Sequence, residues 1–490
     1  MERRSLVNKF FEENGLVEHH ISSYNSFIEN GLQSVIDEIG VINPDIEGFE
    51  VRLDGIRVGK PSIKEATGAV RQIFPNEARL RDLTYASPLI LELTPIQNEV
   101  EQPKMEVPIG SLPTMLRSKI CNLYGMDRDE LIGVNEDPND PGGYFVVNGT
   151  ERVLILVEDL APNLMNVSHV KLGPTTESAR VFSEGGWYRR RNSVSRKKDG
   201  GLIMEMPPFS KPVPFIAVLK ALGMEKDSDI VKEIASNPSL ASELYVSFEE
   251  AEEAKNRNDA LDLLGKKVAF GQEKEARMER AERVLDTFLL PHIGTMPEDR
   301  IYKAVYLCRM ANKVIRLHLN MVDVDDKDHY SNKRLGLAGS LLEDLFRVAF
   351  RALVNNTTYS LEKAYKRNRK LAIRNSIRSN FLTERIQHAV ATGAWIGSRQ
   401  GVSQHLDRMN FISSISHRRR VRSLLSTTQP HFEARDLHST HWGRLCPSET
   451  PEGSNIGLVK NLALTTKLTT ESDDALIEET LRKRGVKRLE

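Results

Sequence analysis

The chain has 490 residues, of which 40% are hydrophobic and 28% charged, and its formal net charge is +0. That length exceeds what one core supports and calls for about three domains of ordinary soluble composition. Zero net charge excludes a global polycation, so any nucleic-acid surface has to be local. Cys121, Cys308 and Cys446 are too scattered for a disulfide framework or a zinc ribbon, and they suit a reducing, cytoplasmic compartment. No apolar run reaches the ~18 residues of a membrane span, and the polar stretch from Met1 to Ser5 lacks the core of a signal peptide.

Taken in chain order, Phe10, Phe11, Leu16, Val17, Ile21, Tyr24, Phe27 and Leu32 recur at helical spacing over the first forty residues. Short β-like runs follow from Phe49 to Leu93, and Leu112 to Tyr124 reads as a loop entering a helix. Tyr144–Val147 and Val153–Val157 read as strands of a hairpin, because Asn148-Gly149 tolerates positive φ at a tight turn. The stretch from Pro138 to Gly143 delivers the chain into it. Residues from about 165 to 330 read as a separate unit, helical and charged in its second half from Phe248 to Leu290 and from Ile301 to Leu319. Ser340 and Glu343 form a capping-box pattern at the head of a helix whose apolar face is Leu342, Leu345, Phe346, Ala349, Phe350 and Leu353. The last twenty residues read as a terminal helix or frayed tail.

Charge is uneven along the chain. From Leu361 to Arg422 there are fourteen Lys or Arg against three Asp or Glu, with a peak at His417-Arg-Arg-Arg-Val-Arg422. Such a run is a solvated face, the partner of an acidic protein, or a phosphate-binding surface. Gln404, Asn410 and Ser413 within it can hydrogen-bond to sugar and phosphate, which favours nucleic acid. A second basic stretch surrounds Trp187 to Arg191 and reads equally well as a surface loop or as arginines stacking beside aromatics.

The acidic group Asp323, Asp325, Asp326 and Asp328 fails as an EF-hand, since Asp328 stands where glycine is needed and Arg334 where glutamate belongs. Lys327, Lys333 and Arg334 are expected to neutralise it. His438 and His441 with Cys446 lack a fourth zinc ligand, and structural hydrogen bonding is the better reading. The segment from His438 to Asn461 holds two prolines, three glycines, two carboxylates and two basic residues. It is too stiff for a linker and too irregular for a helix or strand, as befits a loop that fixes polar groups. Glu449 and Glu452 in it could pair with upstream arginines or, less simply, lie near a metal-bound triphosphate. Phosphate loops, dinucleotide fingerprints and nucleophile elbows are missing from the sequence, so a self-sufficient active site is not expected.

That last segment closely resembles the most recognisable part of the second-largest subunit of multisubunit DNA-directed RNA polymerases. The resemblance continues in order through Pro75–Tyr85, Pro108–Lys119, Gly143–Leu154, Asp328-His329 with Lys333–Gly339, Gly401–Gln404 and Ile415–Arg420. It is nearest to the archaeal and eukaryotic subunits. It implies a mixed α/β (α+β) multidomain fold with discontinuous domains: a protrusion of residues 1–165 and 340–385, a lobe of 166–339, a fork of 386–465 and a tail of 466–490. It implies that Gln404 and Arg420 approach nascent RNA or the RNA–DNA hybrid, and that Arg435 and Glu452 lie near the active centre.

With the basic run, the expected nucleic-acid-binding set is Gln404, Arg418, Arg419, Arg420, Arg422 and Arg435, and the active-centre-proximal pair is Glu449 and Glu452. Ser403, Asp407, His417 and Arg422 fall where bacterial relatives form an inhibitor pocket. Arg422 replaces a small serine there, which argues against rifamycin-type binding. The family's subunit continues past the fork, whereas this sequence stops soon after Leu462. The resemblance therefore implies the amino-terminal half of a subunit encoded as two polypeptides, as in some archaea, although a cloned fragment would end the same way.

The implied partners are the companion half, the largest subunit, smaller polymerase subunits, template DNA and nascent RNA, with no membrane. No catalytic residue and no cofactor are expected on this chain, and the catalytic Mg²⁺ is expected on the largest subunit. A stand-alone nucleic-acid-binding protein is the alternative. A metal-dependent nuclease using His438, His441 and the Asp323 group is a weaker third reading.

Overall fold

The computed structural model describes residues 3–486 except 66, 172, 186–187, 236, 370–371 and 470–473. Trp187 lies outside the described residues. The chain divides into one unit of Met1–Asp159 with Leu335–Glu490 and a second of Leu160–Arg334. Its architecture is mixed α/β and multidomain.

The first unit begins with helices, of which α1 (Glu18–Ser26) carries the buried His19, His20, Ser23 and Tyr24. Alternation of apolar and polar residues then builds an antiparallel sheet from β1 (Phe49–Val58), β2 (Ala86–Gln97) and β3 (Met105–Pro113), with β2 between the other two. Phe49, Val51 and Leu53 turn to one buried face until a register shift between Leu53 and Gly55. The helix expected after Leu112 does not form. The β2–β3 pairing runs on to Pro113, and Arg117 at φ 68° breaks any helical progression into successive turns up to Tyr124.

The hairpin is present as β4 (Phe145–Val147) and β5 (Thr150–Leu154), with Asn148 at φ 49° and Gly149 at φ 72°. The second run breaks after Leu154 and continues as β6 (Leu156–Leu160), because Ile155 donates its N–H to the Val402 carbonyl instead.

The 29-residue helix α2 (Ala338–Lys366) buries the apolar face read from its sequence. Its start differs from the expectation. Ser340 lies inside the first turn, where its Oγ accepts from the Leu337 N–H at 3.0 Å, and Glu343 pairs with Arg347 at 2.7 Å instead of closing a box. α1 packs on α2 so closely that a β-carbon on Gly339 would collide with the Ser23 carbonyl, while the Gly339 N–H donates to Ser23 Oγ at 3.0 Å. After α3 (Ser379–Thr392) come β7 (Ser403–His405), α4 (Phe411–Arg418), β8 (Arg420–Ser423) and β9 (Val459–Asn461).

The second unit is built on an antiparallel sheet ordered 166–169, 175–185, 188–197, 202–205, 213–214, with Arg257–Val268, Lys274–Phe288 and Arg300–His318 as its longer helices. Its core includes Val181, Val194, Phe215, Leu307 and Val314. The basic stretch at Arg189–Arg191 is a strand and not a loop. Arg190 stacks over Phe288 at 4.9 Å, which consumes its aromatic contact inside the fold. The acidic group is neutralised locally, Lys313 pairing with Asp325 at 2.8 Å and Lys333 with Asp328 at 3.1 Å.

Gly339→Ala is expected to lower the unfolding free energy by about 1–3 kcal/mol, the usual cost of overpacking. Denaturant titration checks it, and an unchanged midpoint would mean that α1 and α2 can move apart freely.

Candidate nucleic-acid interface

Three short strand pairings position the candidate site. β7 pairs antiparallel with β5, which sets Gln404 opposite Val153. β8 pairs parallel with β6, Leu156 opposite Val421, and antiparallel with β9, Val421 opposite Lys460. The alternation Arg420-Val-Arg422 then has its ordinary strand meaning. Val421 is buried, and the two arginines share the other face. That face opens on a cavity of about 580 Å³ lined by Gln404, Arg420, Arg422, Glu449, Thr450 and Lys460, among others.

Among the described residues no carboxylate forms an ion pair with Arg420 or Arg422, although the charge of Arg420 acts on Asp407; Arg422 makes a long contact of 3.4 Å to the Gly401 carbonyl. Lys460, by contrast, is neutralised. Its Nζ lies 2.9 and 2.8 Å from the two carboxylate oxygens of buried Glu158. The cavity therefore presents two guanidinium groups available to acceptor oxygens, and planar guanidinium suits phosphate.

The arginine run does not act as one patch. Arg418 is 1% exposed and points inward. It donates to Asp140 at 2.9 Å, the Gly142 carbonyl at 2.7 Å and Ser414 Oγ at 2.8 Å, with Tyr144 facing its guanidinium at 5.1 Å. Arg419, 6% exposed, donates to the carbonyls of Leu16, Ala463 and Leu464. Both side chains are committed to the chain's own fold, and neither lines the cavity. Helix α4 ends at Arg418 and the strand begins at Arg420, so the run changes direction in its middle.

Arg435 is likewise committed. Its five N–H groups donate to the carbonyls of Pro430, Ser454, Ile456, Thr427 and Gln429 at 2.7 to 3.3 Å. That clamp gives the 438–461 loop its stiffness, together with Thr450 Oγ1, which donates to the Val459 carbonyl and accepts from the Gly457 N–H, both at 2.9 Å. Gly457 has φ 69°, and a β-carbon there would strike the Arg435 carbonyl. Glu449 forms no ion pair with an arginine among the described residues, although its charge acts on Arg419; it accepts from Ser416 Oγ at 2.5 Å and Asn461 Nδ2 at 2.9 Å. Glu452 is exposed and lies off the cavity lining. Asn410 caps α4 by accepting from the Ser413 N–H at 2.7 Å, and Ser413 Oγ donates to Asp407, so both serve the helix start.

His417 is buried. Burial first, and then the charge of Arg420, lowers its pKa to about 4. Its Nδ1 accepts from the Asp407 N–H at 3.1 Å, and its Nε2 faces Gln404 Oε1 at 3.1 Å. Behind Arg418, His20 Nε2 lies 2.6 Å and His19 Nε2 3.2 Å from the Arg418 carbonyl. A carbonyl only accepts, so both rings carry the proton on Nε2. Burial pushes His20 down to about 4 and also lowers His19.

His438 Nδ1 bonds within its own turn, to Thr440 Oγ1 at 2.6 Å. Among the described residues no group of three or more His, Cys, Asp or Glu is placed to hold a metal ion. Among the described residues no helix is long and apolar enough to cross a membrane.

Sequence reasoning missed Lys460, Glu158, Asp140 and His20. Asp140 lay in a stretch that reads as a plain turn, and Glu158 just past the end of the run read as a strand. The Arg-Val-Arg alternation was the available signal that Arg420 and Arg422 differ from Arg418.

Residues 15–384 match the model of the RNA polymerase beta subunit family, and residues 404–468 match RNA polymerase Rpb2, domain 3. The chain is 49% identical to DNA-directed RNA polymerase subunit Rpo2N of Methanocaldococcus jannaschii, over 99% of both chains. It is 43% identical to the Rpo2N of Halobacterium salinarum, over 96% of this chain and 93% of the relative. It is also 49% identical to subunit Rpo2 of Saccharolobus solfataricus over 99% of this chain, but spans only 43% of that longer relative.

Two outcomes follow from the buried polar groups. Asp140→Ala strands the Arg418 guanidinium and is expected to cost about 3–5 kcal/mol of stability; a loss under 1 kcal/mol in denaturant titration would show that the pair is dispensable. Unfolded histidines titrate near 6.5, so between that value and about 4 the unfolded state binds protons that His20 and His417 refuse. Stability is therefore complete above about pH 6.5 and falls toward pH 4, by up to ~1.4 kcal/mol per pH unit for each ring. His20→Gln, which retains an N–H donor, should flatten that slope between pH 7 and 4.5, and an identical slope would contradict the assignment.

Proposed function

Because the chain belongs to the RNA polymerase beta subunit family, we propose that it is a non-autonomous subunit of a DNA-directed RNA polymerase in the cytoplasm, with Gln404, Arg420 and Arg422 facing nucleic acid. The observation that carries this reading is the convergence of those three side chains on one open cavity, where among the described residues neither guanidinium group is held in an ion pair with a carboxylate. A phosphodiester backbone offers the acceptor oxygens and negative charge that such a surface lacks, and the contact would not depend on base sequence. Arg418, Arg419 and Arg435 act one step back, by fixing the helix, strand and loop that aim the cavity residues.

The domain names follow the family: 1–165 with 340–385 as protrusion, 166–339 as lobe and 386–465 as fork. The division of the chain at Asp159 and Leu335 supports the lobe as a separate body. The companion of this chain is a polypeptide corresponding to the remainder of the longer Rpo2 relatives; the full-length match to Rpo2N supports that pairing. The largest subunit, smaller subunits, template DNA and nascent RNA complete the assembly. The assembled enzyme extends RNA by nucleotidyl transfer with Mg²⁺ held on the largest subunit. Glu449 is bonded to Ser416 and Asn461, and among the described residues no group of three or more His, Cys, Asp or Glu is placed to hold a metal ion. Neither a stand-alone binding protein nor a nuclease draws support from relatives matched over the full chain.

In polymerase reconstituted with its other subunits, Arg420→Ala is expected to slow transcript elongation by about ten-fold while the subunit still assembles in full. Loss of one charge-assisted contact is worth roughly 1.5–3 kcal/mol. Elongation at the unaltered rate, with full occupancy by gel filtration, would remove Arg420 from the interface.

A further inference from the structure

The relay behind Gln404 fixes the direction of its side-chain amide. The Asp407 N–H can only donate, so His417 Nδ1, 3.1 Å away, must be the unprotonated nitrogen. The proton of the neutral ring then sits on Nε2, which donates to Gln404 Oε1 at 3.1 Å. A turned amide would set N–H against N–H. On the other side Gln404 Nε2 donates to the Gly401 carbonyl at 3.3 Å. An amide has two acceptor lone pairs and two N–H groups. One of each is used within the protein, leaving one lone pair and one N–H unused on a residue that lines the cavity.

We propose that Gln404, with its amide oriented by His417, reads the 2′-hydroxyl of a ribose in the strand that occupies the cavity. A 2′-hydroxyl is donor and acceptor at once, so it answers both free positions of the amide. A phosphate oxygen accepts only, which suits Arg420 and Arg422 but leaves the amide lone pair unanswered. The 2′ carbon of a deoxyribose answers neither position. The cavity thus combines a charge contact common to all polynucleotides with one that separates RNA from DNA. His417 is a positioning residue in this scheme, since it touches the amide and not the ribose.

The inference rests on the polymerase-subunit reading, and its test keeps the two apart. Elongation complexes are assembled from the complete reconstituted enzyme on RNA carrying one 2′-deoxy nucleotide, scanned through the positions nearest the 3′ end, and their dissociation rates are compared with the all-ribose complex. At one position the deoxy substitution should speed dissociation roughly five- to ten-fold in the wild type, the effect of losing one or two hydrogen bonds. In Gln404→Ala the ratio at that position should fall to about one. In His417→Phe it should fall as well, although Gln404 is intact, because a ring without nitrogens cannot hold the amide. General loosening of the fold would raise both rates and leave their ratio alone. A wild-type ratio of one at every position overturns the inference while leaving the polymerase reading in place. A ratio kept by His417→Phe overturns the positioning role. A wild-type chain that forms no elongation complex overturns both readings.

Discussion

A single buried guanidinium governs the geometry of the basic segment. Arg418 reaches from the last turn of α4 to Asp140 and to the Gly142 carbonyl, and its own carbonyl receives the two histidines of α1. Burial alone would raise the Asp140 carboxyl. The guanidinium groups of Arg418 and Arg408 and the Gly142 N–H overcome that and hold it below its ordinary range. Tyr144 adds a hydroxyl to the same carboxylate at 2.9 Å and lies between Arg408 and Arg418, 4.9 and 5.1 Å from their guanidinium carbons. With the helix end held from both sides, β8 starts at a fixed place and in fixed register with β6 and β9. The directions of Arg420 and Arg422 are a consequence of that register.

The arrangement explains why adjacent arginines have opposite fates. Charges placed inside must be paired, and Arg418 and Arg419 are satisfied by a carboxylate, a hydroxyl and backbone carbonyls. Charges on the open face keep part of their water and need no such partner. Stiffness in the following loop arises in the same way, since Arg435 gathers carbonyls from both sides of the turn into one planar fork. Three of the arginines that the sequence suggests for binding thus build the frame, and the open basic face is smaller and better defined than the charge run implies.

Local chemistry was legible where one signal sufficed. Asn148-Gly149 announced the hairpin, the 3.6-residue spacing announced the long helix, and the proline–glycine loop announced a fixed backbone. Direction was not legible, because charge count carries no information on which side of a backbone a residue falls. Arg418 and Arg420 differ only in secondary structure, and the helix-to-strand change between them depends on pairing with Leu156, a partner far away in sequence. The same holds for the start of α2: Ser340 has the composition of a cap, but the approach of Ser23 to Gly339 starts the helix earlier.

The parallel pairing of β6 with β8 joins Leu156 to Val421 across about 265 residues, and the whole of the second unit lies within that span. A ribosome moving at about 5–20 residues per second leaves β6 waiting roughly 13–50 s for its neighbour. During that interval a strand with an unsatisfied edge waits in the growing chain, while the intervening unit has time to fold by itself. Biogenesis of this protein is therefore paced by translation, and its early vulnerability is aggregation of a half-made sheet.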